Sequence, residues 1–102
     1  MQYTLGLDIG TSAVKALLMN QNGEIAAENS EGYPLSTPQS GWAEQNPEDW
    51  WQASQKVIKD LIADNEIMAE KIKAISFSGQ MHSSVFLDQN MEVIRPAILW
   101  SD

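Results

Sequence analysis

Apolar and polar residues alternate with a period of two from the start of the chain. Leu5, Leu7 and Ile9 take one parity and Thr4, Gly6 and Asp8 the other, the pattern of a half-buried β-strand. Gly10, Thr11 and Ser12 break it as a tight turn. The alternation resumes with Val14, Ala16 and Leu18 on one face of a second strand, and Lys15 and Leu17 on the other. Asn20, Gln21, Asn22 and Gly23 predict a turn, because Asn-Gly tolerates the positive φ that hairpins need. Residues 24–29 read as a third strand, so the first three elements are expected to form an antiparallel meander.

Residues 32–45 are rich in Pro, Ser, Gly and Gln and predict an irregular surface connection, tacked down by Tyr33 and Trp42. A helix start follows. Asn46 suits the N-cap, Pro47 the first helical position, and Glu48 and Asp49 the positive end of the helix dipole. Trp50, Ala53, Val57, Ile58, Leu61 and Ile62 recur at helical spacing as one apolar stripe, and the helix should end near Asp64 and Asn65. Residues 72–78 read as a fourth strand, apolar enough to be central in a sheet. Gly79, Gln80, Met81 and His82 break it. Short strands are expected at 85–87 and 93–94 around a turn at Gln89 and Asn90, and a last apolar strand at 97–100. A meander, a helix and then a parallel strand describe an α/β domain with a mixed sheet. The last strand has no helix after it to cover its face. The expectation is therefore an incomplete domain that is marginal or self-associating in isolation, and inactive.

Composition narrows the function classes. The chain has 102 residues, 43% hydrophobic and 20% charged, ordinary for a globular protein and unlike a disordered one. Its net charge of -8, from 14 acidic and 6 basic residues, argues against a nucleic-acid surface, which needs clustered Lys and Arg. A nucleotide ligand stays open, since backbone amides and a metal can hold phosphate without a basic surface. There is no cysteine, which removes disulfides and thiolate chemistry from this segment. No secretory pattern and no run of transmembrane length is visible. A cytoplasmic protein without membrane partners is expected.

Two motifs carry candidate chemistry. In the first, Gly10 lets a phosphate approach a backbone turn whose successive N–H groups can form an anion-binding nest. Thr11 and Ser12 add hydroxyls, and Lys15 adds a positive charge. Asp8 would repel a bare triphosphate but can hold Mg²⁺ directly or through water, so the set suits ATP with Mg²⁺. A plain hairpin, with Asp8 capping the turn, uses the same residues. Neither a G-x-x-x-x-G-K-[ST] loop nor a G-x-G-x-x-G fingerprint is present. The second motif ends the apolar strand at 72–78, a common place for ligand groups in α/β sheets. Gln80 and His82 offer donors and acceptors suited to polyol hydroxyls, and Met81 an adaptable apolar surface. A surface turn explains these residues equally well. His82 is the one histidine of the chain, so no multi-His metal site is available.

A strand, then Asp8, Ile9, Gly10, Thr11 and Ser12, then a second strand carrying Lys15, resembles the first phosphate-binding hairpin of the actin-like ATPase superfamily. Within it, the set resembles the FGGY carbohydrate kinases. That family carries Gly-Gln-x-x at the position of Gly79, with the last two residues lining the sugar pocket. They are typically Arg-Glu in its glycerol kinases and Met-His in its xylulokinases, as at Met81 and His82 here. Gly41 to Pro47, with Trp50 and Trp51, resembles the stretch before the family's first long helix. Arg95, Pro96, Ala97, Ile98, Leu99, Trp100, Ser101 and Asp102 resemble its R-P-A-I-x-W-x-D run, where Ser101 departs from the more usual Asn of xylulokinases. Trp100 and Asp102 fall near the sugar in that family.

The resemblance covers the whole chain, with its motifs in order. It implies a ribonuclease H-like, actin-like ATPase fold, with residues 1–102 as the N-terminal part of the first of two domains. It implies ATP-dependent phosphorylation of D-xylulose to D-xylulose 5-phosphate. Asp8, Gly10, Thr11, Ser12 and Lys15 would serve ATP and its Mg²⁺, with Asp8 toward the metal. Gln80, Met81, His82, Trp100 and Asp102 would serve the sugar. The general-base Asp and the adenosine site lie downstream in the family, so no catalytic residue is expected here. A homodimer is compatible with this reading. Three alternatives stay open: a kinase for another polyol or ketose, a non-catalytic actin-like nucleotide-binding module, and a structural α/β domain without a ligand.

Overall fold

The computed structural model describes residues 1–80 and 83–99. Strands β1 (Tyr3–Ile9), β2 (Ala13–Asn20) and β3 (Ile25–Gly32) form the expected meander. A two-residue strand β4 (Glu44–Gln45) precedes helix α1 (Pro47–Asp64). A 3₁₀ turn at Ala69–Lys71 leads into β5 (Ile72–Ser78), and β6 (Ala97–Ile98) comes last. The main sheet has the order β3-β2-β1-β5, with β1 antiparallel to β2 and parallel to β5. It is the mixed sheet that the pattern predicts.

The period of two decides which side chains are buried. Leu5 faces Leu18, Leu7 faces Ala16 and Ile9 faces Val14 across β1 and β2. Helix α1 packs on this side of the sheet, over β2 and β3. Its Ala53, Val57 and Leu61 join Leu5, Val14 and Leu18 in one core. Asn46 caps the helix as expected, its side-chain oxygen accepting from the Glu48 N–H at 3.0 Å. Lys56 on the exposed face pairs with Glu31 of β3 at 3.0 Å and with Asp60 at 3.3 Å. Trp50 leaves the main stripe and packs on a second small core of Ala43, Ala97 and Leu99.

Four expectations are corrected. Strand β5 is not central: among the described residues it forms the edge of the sheet. Its Ile75 and Phe77 line up with Leu5 and Leu7, but α1 does not reach them, and they are 57% and 76% exposed. The segment at 32–45 is not wholly irregular, because the last expected strand forms at Ala97–Ile98 and pairs with it. Ala97 and Ile98 pair with Gln45 and Glu44 in a separate two-stranded sheet, which also gives the irregular 32–45 segment a strand and a bridge from Ser36 to Glu44. The 85–94 segment holds a single bridge, Leu87 to Val93, around a turn whose Asp88 side chain accepts from the Asn90 and Glu92 N–H groups. Finally, Tyr33 anchors its loop but Trp42 does not, being 44% exposed.

Helix α1 ends in a double backbone lock. Ile67 N–H donates to the Ile62 carbonyl and Glu66 N–H to the Ala63 carbonyl, with Ile67 against the core. This is the Schellman arrangement, in which the residue after the cap turns left-handed and is usually glycine. Here it is Glu66, at φ 53°, a conformation that costs a residue with a Cβ about 1 kcal/mol. Glu66→Gly should therefore raise stability by about 1 kcal/mol, read as a higher urea midpoint at unchanged slope. An unchanged or lower midpoint would refute that reading of the helix end.

Candidate functional site

The site forms where β1 and β5 end side by side. One rung of the sheet runs Ser30, Lys15, Asp8 and Ser78 across β3, β2, β1 and β5. All four face away from α1, the consequence of strict alternation with the buried rungs on either side. They border an open cleft of about 800 Å³ that also takes in Glu28 and Ser76. The Ser78 hydroxyl donates to the Asp8 carboxylate at 3.1 Å. Lys15 stands opposite Asp8. A cation and an anion thus sit side by side in the cleft.

The turn at residues 10–12 is held from one side through its carbonyls. The Gly10 N–H closes the turn on the Ala13 carbonyl at 2.9 Å. The Tyr33 hydroxyl is shared between the Gly10 and Ala13 carbonyls, and the Tyr33 N–H donates to the Ser12 carbonyl at 3.1 Å. The Gln45 side-chain amide donates to the Thr11 carbonyl. Position 10 is tight without an unusual φ: an added Cβ would stand 3.2 Å from the Ala13 carbonyl oxygen and would have to push that backbone away slightly. Because the Gly10 N–H is already used, an anion cradle here must rely on the amides and hydroxyls of Thr11 and Ser12.

The second motif meets the first. The Gln80 amide donates to the Gly10 carbonyl at 3.2 Å and to the Gln45 Oε1 at 2.8 Å. Gln45 Oε1 also accepts from the Trp50 indole N–H at 2.9 Å. These contacts fix both amides, since an indole N–H can only donate and a backbone carbonyl can only accept. Gln80 Oε1 is left buried and without a partner among the described residues. Such an acceptor carries a desolvation cost until a donor meets it. Met81, His82, Trp100 and Asp102, the other residues expected at the sugar, lie outside the described residues.

Sequence reasoning missed Gln45, Trp50 and Ser78 as parts of this site. Gln45 carried a signal, a polar residue directly before a helix cap, and it is 2% exposed. Trp50 was assigned to the helix stripe. Arg95 and Glu44 form an ion pair, tying β4 to the segment before β6. Among the described residues no group of three or more His, Cys, Asp or Glu side chains could enclose a metal. No helix of the described residues is long and apolar enough to cross a membrane.

Residues 3–102 match the N-terminal domain of the FGGY family of carbohydrate kinases. The chain belongs to that family. It is 50% identical over 102 residues to a xylulose kinase from Bacillus subtilis, covering 100% of this chain and 20% of that protein. Two solved structures from Lactobacillus acidophilus superpose closely. One is a ligand-bound xylulose kinase, TM-score 0.91 and 39% identity over 100% of this chain and 20% of the other. The other is a gluconate kinase, TM-score 0.90 and 40% identity over 99% and 20%. The fold is that of the actin-like ATPases, as the FGGY resemblance implies. The chain spans about one fifth of the length of these relatives.

Tyr33 offers a test of the carbonyl clamp. Burial, and next to it the negative charge of Asp8, push its hydroxyl from the ordinary value of 10.0 up to about 12. A folded-state value above the unfolded one contributes stability that is complete below pH 10 and lost as pH rises toward 12. The chain should therefore lose stability between pH 10 and 12, and Tyr33→Phe should lack that component while being less stable at pH 8. Parallel pH profiles of the unfolding midpoint for the two proteins would contradict it.

Proposed function

We propose that this chain is the N-terminal part of the first actin-like domain of a two-domain sugar kinase. The enzyme transfers the γ-phosphoryl group of ATP to a ketopentose, D-xylulose above others, giving D-xylulose 5-phosphate. The observation that carries this reading is the bond from Gln80 to the Gly10 carbonyl. It sets the turn expected to meet the sugar directly against the turn expected to meet phosphate, as transfer between two bound ligands requires.

Residues divide by side. Thr11, Ser12 and Lys15 attract the phosphates, with Gly10 allowing the turn. Asp8 suits Mg²⁺ on chemical grounds. Mg²⁺ keeps several waters and takes one or two carboxylates together with substrate phosphates, so Asp8 beside Lys15, in an open cleft that Glu28 also lines, suits it without a closed protein cage. When bound, the ion would neutralise charge on the phosphates. On the sugar side the unpartnered Gln80 Oε1 suits a substrate hydroxyl, beside Met81 and His82 and with Trp100 and Asp102 near the same ligand. The acceptor hydroxyl forms the new O–P bond, ADP leaves with the electrons of the broken bond, and the hydroxyl proton passes to a carboxylate expected beyond this segment. ATP and the sugar are the partners of a cytoplasmic enzyme in this reading.

The sugar is the finer part of the proposal. The xylulose kinase and the gluconate kinase from Lactobacillus acidophilus resemble the chain about equally in structure. Met81 and His82 favour xylulose, through their resemblance to the pair in that branch of the family. The deciding assay follows ADP release by the complete enzyme with ATP and Mg²⁺, comparing D-xylulose, L-ribulose, gluconate, glycerol and no sugar. Strong release with D-xylulose supports the reading. Release with another polyol alone would keep the kinase and discard the substrate, and none at all would favour a nucleotide-binding module. His82→Ala should raise the sugar KM about tenfold, the effect of one lost hydrogen bond to a bound ligand, with the ATP KM nearly unchanged. Equal rises in both would remove His82 from the sugar.

A further inference from the structure

The carbonyls of Gly10 and Thr11 are held by two side-chain amides that are themselves bonded to each other, and the Tyr33 hydroxyl also donates to the Gly10 carbonyl. Both carbonyls therefore turn toward the same side, the side of Gln45 and Gln80. No peptide bond of the described residues is cis. In a planar trans peptide the N–H of the following residue points opposite to the carbonyl. Holding the Gly10 carbonyl thus aims the Thr11 N–H away from the glutamines, and holding the Thr11 carbonyl does the same for the Ser12 N–H. Neither N–H has a hydrogen-bond partner among the described residues.

We infer that Gln45 and Gln80 are positioning residues, whose amides orient two peptide planes so that the Thr11 and Ser12 N–H groups face a bound phosphate together. The inference rests on the kinase reading and adds to it what sets the donor geometry. Trp50 takes part at one remove. Its indole N–H fixes which end of the Gln45 amide faces the turn; a reversed amide would set an oxygen against the Thr11 carbonyl. Gln45 is buried and its amide has no alternative partner in view, so the orientation is imposed on the turn instead of following from it. A free turn of this length would sample flipped peptides, and each flip would replace a donor with a carbonyl oxygen facing the anion. Two successive N–H groups on one side are the anion-binding arrangement known from backbone nests.

The inference separates phosphate binding from the rest of the nucleotide, which a merely structural role would not do. In the complete protein, Gln45→Met and Gln80→Met each remove a donor at similar volume. Affinities for a non-hydrolysable ATP analogue with Mg²⁺ and for adenosine would be measured by calorimetry. Each variant should weaken the triphosphate about tenfold, one charge-assisted hydrogen bond, and leave adenosine within about twofold. Equal losses for both ligands, or no loss for the triphosphate, would overturn the inference. If Gln45→Met does not fold, Gln80→Met, at a half-exposed position, carries the test alone. Failure of the unsubstituted protein to bind the triphosphate would strike the kinase reading itself, and is seen before any substitution is made.

Discussion

Strand β1 is hydrogen-bonded along both edges, to β2 in antiparallel register and to β5 in parallel register, and the site depends on that double pairing. The period of two along β1 allows one solution. Leu5, Leu7 and Ile9 must face the helix, which forces Asp8 into the opposite cleft. A slip of one residue would bury the carboxylate and expose the leucines, at a cost that no local contact could offset. The parallel partner then delivers Ser78 to Asp8 and Gln80 to Gly10, seventy residues apart in sequence.

The turn after β1 is too short to hold its own carbonyls. Its order comes from three side chains that reach in from elsewhere: Tyr33 after β3, Gln45 in β4 and Gln80 after β5. Each spends a donor on a backbone carbonyl, so the backbone amides on the far side are released for a ligand. This division explains why a polar residue as buried as Gln45 is tolerated: its amide nitrogen donates once and its oxygen accepts twice. It also explains why the acceptor left over on Gln80 stands out, in a network otherwise satisfied.

Much of the frame was legible in the chain itself. The bounds of β5 and the course of α1 follow from periodicity, the Asn46 cap and the Pro47 start. The phosphate turn and the Gly79-Gln80 break were visible as motifs, and the FGGY resemblance gave them their order and their fold. Among the described residues β5 forms the edge of the sheet, with Ile75 and Phe77 exposed, which an apolar run does not reveal because it carries no information about how many strands flank it. The last strand was legible as a strand, but not its partner. Two paired residues carry too little pattern to show which sheet they join.

The sequence by itself determined the meander, the helix and the parity that puts Asp8 and Lys15 on one face, because alternation and capping are local properties of the backbone. Met81 and His82 support the proposed sugar by resemblance alone. Tertiary structure decided the rest. Which carbonyl meets Gln45, which oxygen of Gln80 stays free, and that the two motifs touch at all are long-range outcomes. They depend on how β1 and β5 align and on where the loop through Tyr33 and Gln45 folds back, and no local pattern encodes a contact between residues so far apart in the chain.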